Sequence, residues 1–191
     1  MADRVFPLVT LRTGRLLLRP FREADAPDVH AVWHDDEYLR YAPVGLTVAG
    51  ADLETARRWC ADSARPARTA AFAAVPFGEE RLCGHVALYD ADWTAMICEI
   101  HYWTAPWGRG HGYAAEAAHA VATWALRQLG LARIALNAVV DNTPSRRVAE
   151  TAGFRFEGVL RNAALTRNGR GDLAAYSLIP TDLPDPGPGL D

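Results

Sequence analysis

Three short stretches of this sequence hold residues whose types and spacing can do chemistry. The first is "RGHGYAAEA", residues 109–117. Gly110 and Gly112 sit among bulky neighbours, directly before a run with helical periodicity. A tight turn needs one glycine at most, whereas a loop that brings successive backbone N–H groups against a ligand needs more. Such a loop, opening a helix, points its amides and the positive end of the helix at an anion. Ala114 keeps the first helical turn slim. No G-K-[ST] follows and the pattern is not G-x-G-x-x-G, so neither named phosphate loop applies; on its glycines alone the stretch is equally an ordinary helix start.

The second stretch is "MICEIHYW", residues 96–103. On a strand, Cys98, Ile100 and Tyr102 share one face, and Glu99, His101 and Trp103 share the other. A carboxylate inside an apolar strand is costly unless it has a partner or a task. Glu99 is therefore either a base or a structural ion-pairing group, and His101 is either a rival base or a packed ring. The third stretch is "DNTPSRR", where Asn142 is a turn former or a ligand-binding amide. Ser145 is a helix-start residue, a hydroxyl available for chemistry, or both. A fourth group, His30 and His34 one helical turn apart and followed by Asp35, Asp36 and Glu37, has metal-like spacing. It lacks H-E-x-x-H, so a solvated polar face is expected and no metal.

These residues need elements to position them. Strand patterns fall at residues 15–19, 69–76, 81–90, 96–104, 133–140, 154–160 and 173–179, with a hairpin turn at "FGEE" and a loop around "RNGRG". Helical patterns fall at residues 22–40, 49–64, from Gly112 to a stop at Gly130, and 142–153. Tyr113 and Trp124 read as core. The order β-α-α-β-β-β-α-β-α-β-β is that of a mixed α/β domain rather than a regular βαβ repeat.

Of the 191 residues, half are hydrophobic and 23% are charged, and the formal net charge is -3. This fits one domain, placed at residues 8–180, with a Pro/Gly-rich flexible tail at 181–191. The charge and the lack of Lys/Arg runs speak against a nucleic-acid partner. No apolar stretch reaches spanning length and no signal core is seen, so a cytoplasmic protein with no membrane partner is expected. Cys60, Cys83 and Cys98 are odd in number with no C-x-x-C pair, which reads as buried thiols.

Taken together, "TGRLLLRPFREAD", "EIHYWTAPWGRGHGYAAEA" and "DNTPSRRVAETAGFRFEGVLR" resemble, in this order, the GNAT (GCN5-related N-acetyltransferase) superfamily, and most of all its RimJ/RimL-like branch. Arg109-x-x-Gly112-x-Ala114 matches the family's [RQ]-x-x-G-x-[GA] coenzyme A signature. The resemblance implies a GNAT fold: a mixed, mostly antiparallel sheet of about seven strands, with splayed central parallel strands at residues 97–104 and 133–140, flanked by about four helices. It implies acetyl-CoA as cofactor, with the pyrophosphate on the amides from Arg109 to Ala114 and the pantetheine arm between the splayed strands. The coenzyme-binding set becomes Trp103, Arg109, Gly110, His111, Gly112, Tyr113, Ala114, Asn142, Ser145 and Arg147, with Arg146 adding to a local basic cluster.

The implied activity is acetyl transfer to a primary amine, either a protein N-terminus or a small molecule, by direct attack in a ternary complex. Glu99 is the expected base, acting through water, with His101 as its rival where the family more often has Gly. Ser145 is expected to give the leaving thiolate a proton; Tyr176, on the last strand, is a weaker candidate. Asp35, Asp36 and Glu37 would border the acceptor site and attract a cationic amine. Glu116 suits the helix dipole. An aminoglycoside or other antibiotic acceptor, a longer acyl-CoA, or a non-catalytic acyl-CoA sensor are the alternatives, and the protein is expected to be a monomer or homodimer.

Overall fold

The computed structural model describes residues 4–42 and 50–185. Its elements run β1 (Leu11–Arg12), β2 (Leu16–Arg19), α1 (Ala26–Trp33), α2 (Asp36–Tyr41), α3 (Leu53–Ser63), β3 (Ala70–Pro76), β4 (Gly84–Asp92), β5 (Ile97–Thr104), α4 (Tyr113–Gln128), β6 (Arg133–Val139), α5 (Thr143–Thr151), β7 (Arg155–Thr166) and β8 (Gly169–Leu178). One mixed sheet takes the order β1-β2-β3-β4-β5-β6-β8-β7. All its neighbours are antiparallel except β5 and β6.

That parallel pair is short. Its register covers Ile97 with Arg133, Cys98 with Ile134 and Glu99 with Ala135, after which the strands part. β5 nonetheless stays paired with β4 as far as Thr104, and β6 with β8 as far as Val139. The splay expected from the family resemblance is therefore present. Among the described residues the strands number eight rather than about seven, and the helices five rather than about four.

The extra helix comes from a break. Residues 22–40 do not form one helix, because the Asp35 backbone is extended and its carboxylate accepts the Tyr38 N–H at 2.9 Å, capping α2. A capping aspartate restarts the chain in a new direction. At the other end, β7 and β8 run on as a long hairpin turning at Arg167 and Asn168, so the expected loop around "RNGRG" is mostly strand.

The two faces of the sheet carry separate cores. On one, α4 lays Ala118, Val121, Ala122 and Ala125 against Val86, Leu88, Cys98 and Ile100. On the other, α1 and α3 bring Val29, Trp33, Ala56 and Cys60 onto Ala73 and Val75. The start of α1 is fixed by a buried pair: Arg19 donates twice to Asp25, at 2.8 Å each, and Asp25 also accepts the Arg22 N–H. Phe6 and Leu183 are both buried in the first core, so the packed unit extends past residues 8 and 180 on either side. Residues 186–191 of the expected tail lie outside the described residues. The three cysteines are buried and free, and burial pushes each thiol up to about 12.

The segment that leads from β5 into α4 is seated tightly. A Cβ on Gly108 would lie 2.4 Å from the Cys83 carbonyl oxygen and 2.9 Å from the Cys83 Cβ. Backbone cannot yield as a flexible side chain does. Gly108→Ala is therefore expected to destabilise the fold by at least about 1–3 kcal/mol, read as a lower urea midpoint. An unchanged midpoint would show that this loop is not locked against β4.

Candidate active site

The parting of β5 and β6 opens into a cavity of about 970 Å³. The first turn of α4, the glycine loop, the ends of β5 and β6, and the start of α5 all line it, while α1, α2 and α3 close the far side. Each part has a local reason to be where it is.

The loop before α4 turns through two glycines with positive φ, Gly110 at 78° and Gly112 at 76°. Gly112 is the N-cap of α4 in the left-handed region and offers no side chain to the helix amides. The orphan N–H groups of the first turn of a sixteen-residue helix are thus left for a ligand. Outside the loop, Glu116 gathers the Thr13 hydroxyl at 2.5 Å, the Arg15 N–H at 2.9 Å and the Arg15 guanidinium at 2.6 Å. Arg15 also donates to the His111 carbonyl at 2.9 Å. Glu116 thereby ties the β1–β2 turn to the loop. Burial opposes its ionisation, but these donors outweigh it and hold the carboxyl below its usual range.

The basic cluster expected around the loop is not assembled in one place. The Arg109 guanidinium pairs with Asp35 and, at 3.0 Å, with Glu37. Two of the three acids expected to attract a cationic amine are therefore already engaged. Burial opposes ionisation of Asp35, yet Arg109 and the Tyr38 amide lower its pKa overall. Arg146 donates to the Tyr176 hydroxyl at 3.1 Å, away from the cavity. His111 stacks on Tyr113, and neither His111 nor the exposed Arg147 lines the cavity. Of the expected coenzyme set, Trp103, Arg109, Gly110, Gly112, Tyr113, Ala114, Asn142 and Ser145 do line it.

Ser145 and Asn142 divide the work left open in the sequence. Asn142 is the N-cap of α5, its side-chain oxygen accepting the Ser145 N–H at 3.1 Å. The Ser145 hydroxyl is left to face the cavity, 3.1 Å from the Tyr102 hydroxyl. Tyr102 also donates to the Ser145 carbonyl at 2.8 Å. Tyr102 shares a strand face with Cys98 and Ile100, and its hydroxyl reaches past their core to α5. Tyr176 is buried and holds Arg146 and Glu150 instead.

Glu99 and His101 share a face as expected, but they sit differently. Glu99 does not line the cavity; its carboxylate accepts from the Tyr89 hydroxyl at 2.8 Å and from the Asn137 amide at 3.3 Å. Asn137, on β6, does line it, so the carboxylate lies one side chain behind the wall. His101 lines the cavity directly, and burial lowers its pKa to about 4, leaving the imidazole neutral at pH 7. Tyr89 and Asn137 were missed because each is unremarkable in its own strand and matters only across a strand pair. The His30 and His34 rings lie 4.3 Å apart, tilted against each other at the end of α1, and among the described residues no group of three or more His, Cys, Asp or Glu is placed to hold a metal.

The comparisons agree with this geometry. Residues 15–155 match the acetyltransferase (GNAT) domain. The chain is 37% identical to the "Putative ribosomal N-acetyltransferase YdaF" of Bacillus subtilis (strain 168), over 51% of this chain and 54% of that protein, so it spans about half the length of that relative. It is 27% identical to the uncharacterized N-acetyltransferase YnaD of the same organism, over 88% of this chain and 96% of that protein. Among solved structures, Mycobacterium smegmatis RimJ in complex with CoA-disulfide superposes with a TM-score of 0.78 at 25% identity, covering 94% of this chain and 88% of that one. With the glycine loop, the parted strands and a family match over most of its length, the chain belongs to the GNAT acetyltransferase family.

Proposed function

We propose that the protein transfers an acetyl group from acetyl-CoA to a primary amine, on a protein N-terminus or a small molecule, by direct attack in a ternary complex in the cytoplasm. The observation that carries this reading is one cavity that joins the uncapped N-terminus of α4, the parted strands β5 and β6, and the Ser145 hydroxyl. The residues present fit the coenzyme: bare helix amides suit a pyrophosphate, and unpaired strand edges suit the amides of an extended arm. Gly110, Gly112 and Ala114 would hold the phosphate end, and β5 and β6 the arm. When bound, the coenzyme supplies the acetyl group as an activated thioester.

In the transfer a C–N bond forms, the thioester C–S bond breaks, the amine loses a proton and the departing sulfur gains one. Ser145, fixed by Tyr102, is the group that gives the sulfur its proton. Glu99 takes the amine proton through water at the Asn137 side of the wall. His101, neutral and in the cavity, accepts a hydrogen bond from the amine and orients it. General acid and base groups of this kind contribute about 10²–10⁴-fold each.

Thiol release from acetyl-CoA tests this directly. Ser145→Ala and Glu99→Gln are expected to lower kcat about 100-fold with acetyl-CoA binding retained in calorimetry, whereas His101→Phe raises the KM for the amine more than it lowers kcat. Coenzyme binding without thiol release for any amine would reduce the protein to a sensor.

His101 also sets a pH dependence of stability. In the unfolded chain its imidazole titrates near 6.5, in the folded protein only near 4. Between those values the unfolded state binds more protons, so the stability is fully present above pH 6.5 and falls as the pH drops toward 4. Urea midpoints measured from pH 7.5 to 4.5 are expected to decline less steeply in His101→Phe than in the parent; equal slopes would refute the buried neutral imidazole.

A further inference from the structure

One end of the cavity is a wall of rings, of which the chemistry above uses only His101. Trp33, Tyr38, Trp59, His85, His101 and Trp103 all line it. Trp59 meets Trp33 and His85 edge-on, at centroid distances of 5.8 Å and 5.5 Å. His85 in turn meets His101 at 5.2 Å and Trp103 at 5.4 Å. Rings packed in this way favour a further ring, edge to face, over an aliphatic chain.

His85 is the unexplained member. It is only 4% exposed, and both of its ring nitrogens are buried without a hydrogen-bond partner. Buried polar atoms are nearly always paired, so an imidazole with an unused donor and an unused acceptor calls for a partner that comes from elsewhere. Burial, and then His101, lower its pKa well below the ordinary value, so it meets that partner as a neutral ring. The charges nearby do not compete for the role. Glu37 pairs with Arg109 at 3.0 Å, and Asp62 pairs with Arg65 at 3.9 Å. Among the described residues only Glu37 and Asp62 bring carboxylates to the cavity lining, one on α2 and one on α3, and they form no cluster for a polycation.

We propose that this end of the cavity selects a primary amine that carries a planar aromatic ring with one hydrogen-bonding atom, the ring seated against Trp59 and Trp103 and its polar atom paired with His85. The ring belongs either to a small arylalkylamine or to the first side chain of a peptide. This rests on the acyltransferase reading above and narrows its acceptor.

The test uses the full chain with acetyl-CoA and matched amines: tyramine, 2-phenylethylamine with the same ring but no hydroxyl, hexylamine with no ring, spermidine, and peptides beginning with Tyr or Ser. The expected kcat/KM falls about tenfold from tyramine to phenylethylamine, the worth of one neutral hydrogen bond, and again to hexylamine. A Tyr-led peptide that matches tyramine identifies a peptide source, and one that fails beside active tyramine identifies a small amine; both support the ring site. His85→Phe is expected to bring the tyramine-to-phenylethylamine ratio close to one. Trp59→Leu, which narrows the phenylethylamine-to-hexylamine ratio, decides the matter if melting shows that His85→Phe is unfolded. Spermidine, hexylamine or the Ser-led peptide equalling tyramine overturns the proposal, as do unchanged ratios in the variants. Calorimetry separates the two readings: no acetyl-CoA binding overturns both, while binding with no acetylation of the aromatic amines overturns this one alone.

Discussion

Everything in the cavity depends on β5 and β6 pairing for three residues and then parting. Left alone, two strands with free edges would close or fray. Here each is held from its outer side, β5 by β4 up to Gly84 opposite Thr104, and β6 by β8 up to Leu173 opposite Val139. The parting is thus enforced by two antiparallel ladders that diverge with the twist of the sheet. Their inner edges keep donors and acceptors unpaired along the gap, where an extended chain could pair with them. The same divergence carries Tyr102 and Ser145 to one side of the gap and Asn137 to the other.

A second constraint links the two ends of the cavity. Arg109 leaves the glycine loop and pairs with Asp35 and Glu37 at the start of α2. Asp35 at once caps α2 and holds Arg109, so α2 is fastened to the glycine loop across the cavity. On the other flank, Glu116 and Arg15 fasten that loop to the β1–β2 turn. The loop can therefore show its amides without a side chain capping α4, because its shape is fixed from both flanks.

How much of this could be read from the sequence follows from the range of each interaction. The alternation over residues 97–104 and the glycines before α4 were legible because they are local, with a period of two in one case and a backbone turn in the other. The Asn142 cap was legible as a turn former, though its role in freeing Ser145 was not. The break between α1 and α2 was hidden, since a capping aspartate inside an amphipathic run leaves the helical period intact. The length of β7 was hidden because its side chains are largely exposed and its bulges, near Gly158 and Asn162, interrupt the alternation. His85, Tyr89 and Asn137 gain their meaning only from strand register, with His85 opposite Trp103 and Tyr89 opposite Glu99. Register is a property of pairs, and no single stretch displays it.

That register also explains why one end of the cavity is walled by rings. On the α1 and α3 face, β4 contributes His85, Ala87 and Tyr89, and β5 contributes Glu99, His101 and Trp103. Going along this face from Trp103, rings give way to a carboxylate at Glu99, where Tyr89 and Asn137 hold it. Burial penalises charge, and it does so for a ligand as much as for the protein. The desolvation that keeps His85 and His101 neutral also disfavours an ammonium group beside them. Under the transfer proposed above, an amine that reached the parted strands would shed its proton on the way, and Glu99 stands at the edge of the rings rather than among them. Under the same proposal the ring wall would act on reactivity as well as on selection, since it favours the neutral form of the amine, the only form that can attack.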